Sequence, residues 1–136
     1  MTAKCRVLYV DDHEDSAFMF KQLLSLSDYE VSVAVSMAEA LTFAGGGEFD
    51  LYVLDKRLPD GTGVDLCRRL HQITPDVPVI FYSGDVYELH RQEAIMAGAR
   101  AYVTKPAIEK LIETMHQLLS ERECSGVSQL RQLDAN

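Results

Sequence analysis

The sequence has no tryptophan, only three cysteines and no apolar run long enough to cross a bilayer. Its first ten residues, MTAKCRVLYV, lead straight into an apolar run without the layout of a signal peptide, so the expected location is the cytoplasm. Cys5, Cys67 and Cys124 are odd in number and widely spaced, which argues against a disulfide framework or a zinc site. Reduced thiols are the expectation. Positive charge is scarce too. Thirteen basic against 21 acidic residues leave a net charge of −8, and no basic patch offsets it, so a nucleic-acid surface is excluded for this domain. The glycine run Gly45-Gly46-Gly47 has neither nucleotide-fingerprint spacing nor a following Lys-Ser/Thr pair, and reads as a helix end and turn.

What remains is one domain. The chain has 136 residues, 47% of them hydrophobic and 25% charged, enough for a core without staples. Strand-like and helix-like segments alternate throughout. The predicted strands are Arg6–Val10, Glu30–Val35, Leu51–Leu54, Val77–Tyr82 and Arg100–Thr104. The predicted helices are Glu14–Ser27, Ser36–Gly45, Gly63–Thr74, Val86–Ala97 and Ala107–Ser120. Their apolar faces carry Phe20, Leu23 and Leu24; Met37, Ala40, Leu41 and Ala44; Leu66, Cys67, Leu70 and Ile73; and Ile108, Leu111, Ile112, Met115, Leu118 and Leu119. The fourth helix has the weakest stripe, and Gly98 ends it.

Five strand–helix repeats imply an α/β fold with a parallel sheet covered on both faces. VLYV, LYVL and VPVIFY are continuously apolar, as central strands are. VSVAV and RAYVT are mixed and suit edges. The predicted architecture is a flavodoxin-like, doubly wound (βα)5 domain of strand order 2-1-3-4-5.

Ligands bind such sheets at the C-terminal ends of the strands. The first strand ends in Asp11-Asp12, the third in Asp55, the fourth in Ser83 and the fifth in Lys105. Adjacent carboxylates need open solvent or a cation, and an all-oxygen cluster suits Mg²⁺. Lys105 and Ser83 suit a phosphoryl group, and Asp55 is then placed as a nucleophile. Each residue has a plainer reading. Asp12 caps a helix, Asp55 opens the turn in DKRLPDG, Ser83-Gly84-Asp85 forms a turn and N-cap, and Lys105 is a surface lysine before a helix-starting Pro106. None of these explains why all of them fall on one edge.

The segments VLYVDD, LYVLDKRLPDGTG, VIFYSG and GARAYVTKP, with their spacing, resemble the receiver domain of two-component response regulators over residues 4–121. The resemblance implies that Asp55 is the phosphoacceptor. A sensor histidine kinase or a histidine phosphotransfer protein would be the donor. Asp12 would coordinate Mg²⁺ directly, Asp11 mainly through water, and the backbone carbonyl of Arg57 would complete the set with Asp55. Lys105 would pair with the phosphoryl group, Ser83 would move toward it, and Tyr102 would be the switch aromatic. Lys105–Pro106 would be a cis peptide. Phosphorylation would change the face formed by helix 4, strand 5 and helix 5, with a phosphorylation-linked homodimer as a family expectation. Ala107 stands where many relatives have Phe. Arg57 and Asp85, two residues beyond Asp55 and Ser83, suggest an Arg–Asp pair that screens the site from water and slows self-dephosphorylation.

Residues 122–136 read as a short polar tail or linker remnant. The output is then a separate downstream protein or an output domain lost from this chain, with no membrane contact. A haloacid-dehalogenase-like phosphatase is the alternative, but it wants an Asp where Arg57 stands. A non-phosphorylated receiver-like scaffold is the other, and the intact cluster argues against it. His13, His71, His90 and His116 read as surface or packing residues.

Overall fold

The computed structural model describes residues 5–26 and 29–121. The sheet strands are β1 (Cys5–Val10), β2 (Tyr29–Ala34), β3 (Leu51–Leu54), β4 (Val79–Ser83) and β5 (Ala101–Thr104). The helices are α1 (Glu14–Ser25), α2 (Met37–Gly46), α3 (Gly63–Ile73), α4 (Glu88–Met96) and α5 (Ile108–Ser120). All five strands are parallel in the order β2-β1-β3-β4-β5. The expected architecture and strand order are therefore found. A two-residue antiparallel hairpin, Arg57–Leu58 with Gly61–Thr62, follows β3.

Strand periodicity divides the core in two. Leu8, Val10, Tyr52, Leu54 and Phe81 face the side covered by α2, α3 and the Ala94–Ala97 end of α4. Val7, Tyr9, Leu51, Val53, Ile80 and Tyr82 face α1 and α5. β3 and β4 are buried throughout, and so is β1 from Val7 onward. In α1 the buried stripe is Ala17, Phe20 and Leu24. Burying Phe20 and Leu24 contributes roughly 2 kcal/mol each.

Leu23 and Ile73 depart from the predicted faces and are exposed. Leu23 stands about 100° around the helix from Leu24, so it falls off the stripe. Ile73 is the last residue of α3 and lies past the packed surface. β4 begins at Val79, after Pro78, whose carbonyl still accepts from Tyr52 N. α4 begins two residues later than predicted. Asp85 N donates to Ser83 Oγ, and Tyr87 N to Asp85 Oδ1, which holds residues 83–87 as a loop. α2 is capped by Ser36, whose hydroxyl accepts from Glu39 N at 3.1 Å. As predicted, α2 ends in the glycine run, and Gly98 follows α4 with φ +114°.

The expectation of three reduced thiols holds for Cys67, which is free and buried, its thiol pushed up to about 11 by burial. It fails for Cys5, which is disulfide-bonded. Cys124, Ser27 and the tail 122–136 lie outside the described residues. No helix among the described residues is long and apolar enough to cross a membrane.

Candidate functional site

The strand registers bring Val10, Leu54, Ser83 and Thr104 to one sheet edge, and the residues that follow them build the site. Asp11 is buried and fully engaged. Its Oδ2 accepts from Lys105 Nζ at 2.7 Å and from Tyr9 OH at 2.8 Å. Its Oδ1 accepts from the backbone N of His13 at 2.9 Å and lies 2.8 Å from the ring Nδ1 of His13. Asp55 is buried 3.3 Å from Lys105 Nζ, and its Oδ1 accepts from Lys56 N at 2.7 Å. Asp12 is open to solvent, its carboxylate 3.4 Å from His13 Nδ1. It is not the cap of α1, a position taken by His13.

Burial opposes charge on the Asp11 carboxyl, but hydrogen bonds from Lys105, His13 and Tyr9 outweigh it and hold its pKa below the ordinary aspartate value. For Asp55 the balance is reversed. Burial and the charge of Asp11 outweigh the help of Lys105, and its pKa is raised. Lys105 is raised despite burial, because two carboxylates favour its ammonium form.

One consequence is testable. A carboxyl with a raised folded pKa destabilises the fold when ionised. The cost is absent below the unfolded value of 3.8 and complete above the raised folded value. Asp55→Asn should therefore raise the Tm of the metal-free protein at neutral pH by roughly 3–5 °C, about 1 kcal/mol. The gain should vanish toward pH ~3. Calorimetry at several pH values checks this, and a lower Tm at neutral pH would overturn it.

The acidic side opens into a cavity of about 540 Å³ lined by Asp55, Ser83, Lys105, His13, Arg57 and Tyr87, among others. Ser83 is buried, with its Oγ turned to the loop at Asp85 N. Tyr102 lies one layer back. Its ring stacks on Phe81, centroids 6.0 Å apart, and its hydroxyl donates to the carbonyl of Asp85 at 2.7 Å. The Lys105–Pro106 peptide is cis. Donor atoms of Asp11, Asp12, His13 and Asp55 all lie within 4.8 Å of one another, a set dominated by hard oxygens that fits a divalent cation.

The predicted residues thus meet, with one correction. No ion pair joins Arg57 to Asp85 among the described residues. Asp85 pairs instead with buried Lys56, at 3.6 Å, and with His90. Lys56, the residue after Asp55, thus reaches Asp85 beyond the end of β4, whereas Arg57 is exposed in the hairpin. Three further participants went unpredicted. Tyr9 reads in the sequence as part of an apolar strand, yet it shares a strand face with Asp11 two residues on. His13 and Lys56 gave no spacing signal.

A family model described as the response regulator receiver domain matches residues 7–117. The chain is 39% identical over 103 residues to the DNA-binding transcriptional activator DevR/DosR of Mycobacterium tuberculosis, covering 74% of this chain and 47% of that protein. It is 36% identical over 124 residues to the transcriptional regulatory protein PrrA of the same organism, covering 90% and 53%. The chain therefore spans about half the length of these curated relatives. Among solved structures it is similar to the non-phosphorylated HemR receiver domain of Leptospira biflexa, with 30% identity, TM-score 0.81, and 88% and 98% of the two chains covered. It is also similar to a BeF3-activated DrrB receiver domain, with 27% identity, TM-score 0.80, and 88% and 99% covered.

Proposed function

The chain belongs to the response regulator receiver family of two-component signalling systems, and we propose that it takes a phosphoryl group onto Asp55 from a phosphohistidine donor, with Mg²⁺, and passes the signal through its α4–β5–α5 face. One observation carries the reading. Three carboxylates, an ammonium and a hydroxyl from four different strand ends meet at one sheet edge, where Asp55, Ser83 and Lys105 line an open cavity.

Asp55 Oδ2 attacks the phosphorus of the donor. A P–O bond forms, the P–N bond to the donor imidazole breaks, and that imidazole leaves with the electron pair and takes up a proton. Asp12, Asp55 and the carbonyl of Arg57 would hold Mg²⁺, and Asp11 would act mainly through water. Its side chain already accepts four contacts, whereas Asp12 faces solvent. When bound, the cation neutralises charge on the phosphoryl oxygens. Lys105 supplies a second positive charge beside Asp55. It exchanges part of its pairing with Asp11 and Asp55 for a phosphoryl oxygen. Ser83 gives up the amide of Asp85 to donate to another oxygen, and this pulls on the loop before α4.

Tyr102 is the switch aromatic in this reading, since its hydroxyl holds the same loop at Asp85 O. α4 is the movable element, because Ala94 is its one buried residue while Val86, Tyr87, Leu89 and Met96 around it are exposed. Added charge at Asp55 shifts a two-state equilibrium toward the arrangement that makes these contacts. Residues 4–121 form the receiver unit and act in the cytoplasm. A sensor histidine kinase or histidine phosphotransfer protein supplies the phosphoryl group. A downstream protein or an output domain reads it, directly or through a homodimer. The haloacid-dehalogenase alternative gains nothing, since Arg57 occupies the position of the second Asp.

The test is intact mass after incubation with acetyl phosphate and Mg²⁺. One added phosphoryl group is expected, absent for Asp55→Asn and absent without Mg²⁺. An adduct that persists in Asp55→Asn would overturn the assignment of the acceptor. Failure to form an adduct with acetyl phosphate or to bind beryllofluoride would overturn the phosphoryl chemistry.

A further inference from the structure

His13 is the one nitrogen donor in the cation cluster. Its Nδ1 lies 2.8 Å from Asp11 Oδ1, 3.4 Å from Asp12 Oδ1 and 3.4 Å from Asp55 Oδ2, so a single ring atom touches all three carboxylates. The ring is not placed there by helix capping, since the side chain of His13 makes no cap hydrogen bond. It is held from below, because the backbone N of His13 donates to the same Asp11 oxygen. The ring is also 63% exposed, so it tilts without disturbing the core.

From this placement we infer that His13 is a further side-chain ligand, beside Asp12 and Asp55, that tunes the cation site toward borderline divalent metals such as Ni²⁺ and Zn²⁺. The inference rests on the reading that the acidic cluster binds a divalent cation. Mg²⁺ takes oxygen donors, keeps several waters and gains little from an imidazole. Ni²⁺, Cu²⁺ and Zn²⁺ gain a strong bond from one. Metal–nitrogen and metal–oxygen bonds near 2.0–2.2 Å place opposite donors about 4.2 Å apart. The present spread, within 4.8 Å, is a few tenths of an ångström wider. A modest tilt of an exposed ring closes that gap. Nδ1 then gives up its proton, leaving the neutral ring protonated on Nε2, and exchanges its hydrogen bonds with the carboxylates for a metal bond. All such sites favour Ni²⁺ over Mg²⁺ to some degree. The inference concerns the part of that preference that disappears with the imidazole.

The experiment is calorimetric titration of the full chain with Mg²⁺ and with Ni²⁺, each repeated in the presence of the other, for the wild type and His13→Asn. Nitrogen coupling in the electron paramagnetic resonance spectrum of bound Cu²⁺ is the second readout. Ni²⁺ should bind competitively with Mg²⁺. In His13→Asn the Ni²⁺ Kd should weaken by about tenfold or more while the Mg²⁺ Kd moves less than about threefold, and one nitrogen coupling should vanish. Equal weakening for both metals, an unchanged Ni²⁺ Kd, or Ni²⁺ binding that Mg²⁺ does not displace would overturn the inference. A wild type that binds Ni²⁺ through His13 but no Mg²⁺ would uphold it and overturn the magnesium part of the proposed function. Binding of neither metal would overturn both.

Discussion

Gly63→Ala is expected to destabilise the protein by about 3 kcal/mol, the high end for overpacking, even though Ala is the better helix former. Gly63 is the first residue of α3, and its N–H donates to Lys56 O at 2.7 Å. That bond folds the Asp55–Gly63 loop back on itself. A Cβ at Gly63 would fall 2.2 Å from the carbonyl oxygen of Asp55, 3.1 Å from its carbonyl carbon and 2.8 Å from the ring edge of Phe81. Backbone at the end of a central strand cannot step aside as a flexible side chain does. Either α3 shifts outward or the end of β3 moves. Moving β3 displaces the Asp55 carboxylate from Lys105 and from the cation ligands. Phosphorylation by acetyl phosphate should therefore slow by roughly tenfold or more as well, given how steeply transfer depends on positioning. Urea denaturation and a timed mass assay measure the two effects. A variant as stable as the wild type would show that the turn relaxes at little cost.

Such a constraint is invisible in the sequence, where Gly63 is only one of eight glycines. The fold was legible because its signals are strong and redundant. Continuous apolar runs marked β1, β3 and β4 as central, the mixed composition of VSVAV and RAYVT marked the edges, and alternation fixed the connections. The same logic brought Asp11, Asp55, Ser83 and Lys105 to one edge, because each directly follows or closes a strand. Residues that act through side-chain reach were less legible. His13 carries no periodic signal, and only the backbone at the start of α1 turns its ring over the carboxylates. Lys56 and Asp85 pair across a loop whose path depends on the hairpin at Arg57–Leu58, so the expected Arg57–Asp85 pair gave way to its neighbour. Tyr9 has an apolar body that stacks on Phe20 at 4.1 Å, and this hid the hydroxyl that serves Asp11.

Lys105→Met should cost about 3 kcal/mol at neutral pH without metal, because it removes one partner of a largely buried ion-pair network. The ammonium sits 2.7 Å from Asp11 and 3.3 Å from Asp55, with side chains 18%, 0% and 7% exposed. Met preserves the length of the apolar stem but removes the ammonium, which lies 5.7 Å from the Tyr82 ring centroid, and leaves two carboxylates facing each other. The pH dependence has a definite sign. With Lys105 absent, both carboxyl pKa values rise, so their ionised forms penalise the folded state and the variant loses stability as pH rises from acid to neutral. The deficit relative to the wild type should therefore be small near pH ~4 and wide near pH ~7. At strongly alkaline pH it narrows again. The raised pKa of Lys105 stabilises the wild type fully below its ordinary value of 10.5, and that contribution is lost as pH passes the folded value. Millimolar Mg²⁺ should recover part of the deficit, since the cation takes over the neutralising charge. The phosphoryl contact is not recovered in this way. Beryllofluoride should bind the variant more weakly and leave Ser83 and the loop before α4 unmoved. A deficit that is flat with pH and indifferent to Mg²⁺ would mean that Lys105 stabilises by packing. The carboxylates would then depend on hydrogen bonds from His13, Tyr9 and the Lys56 amide for the stabilisation of their charge.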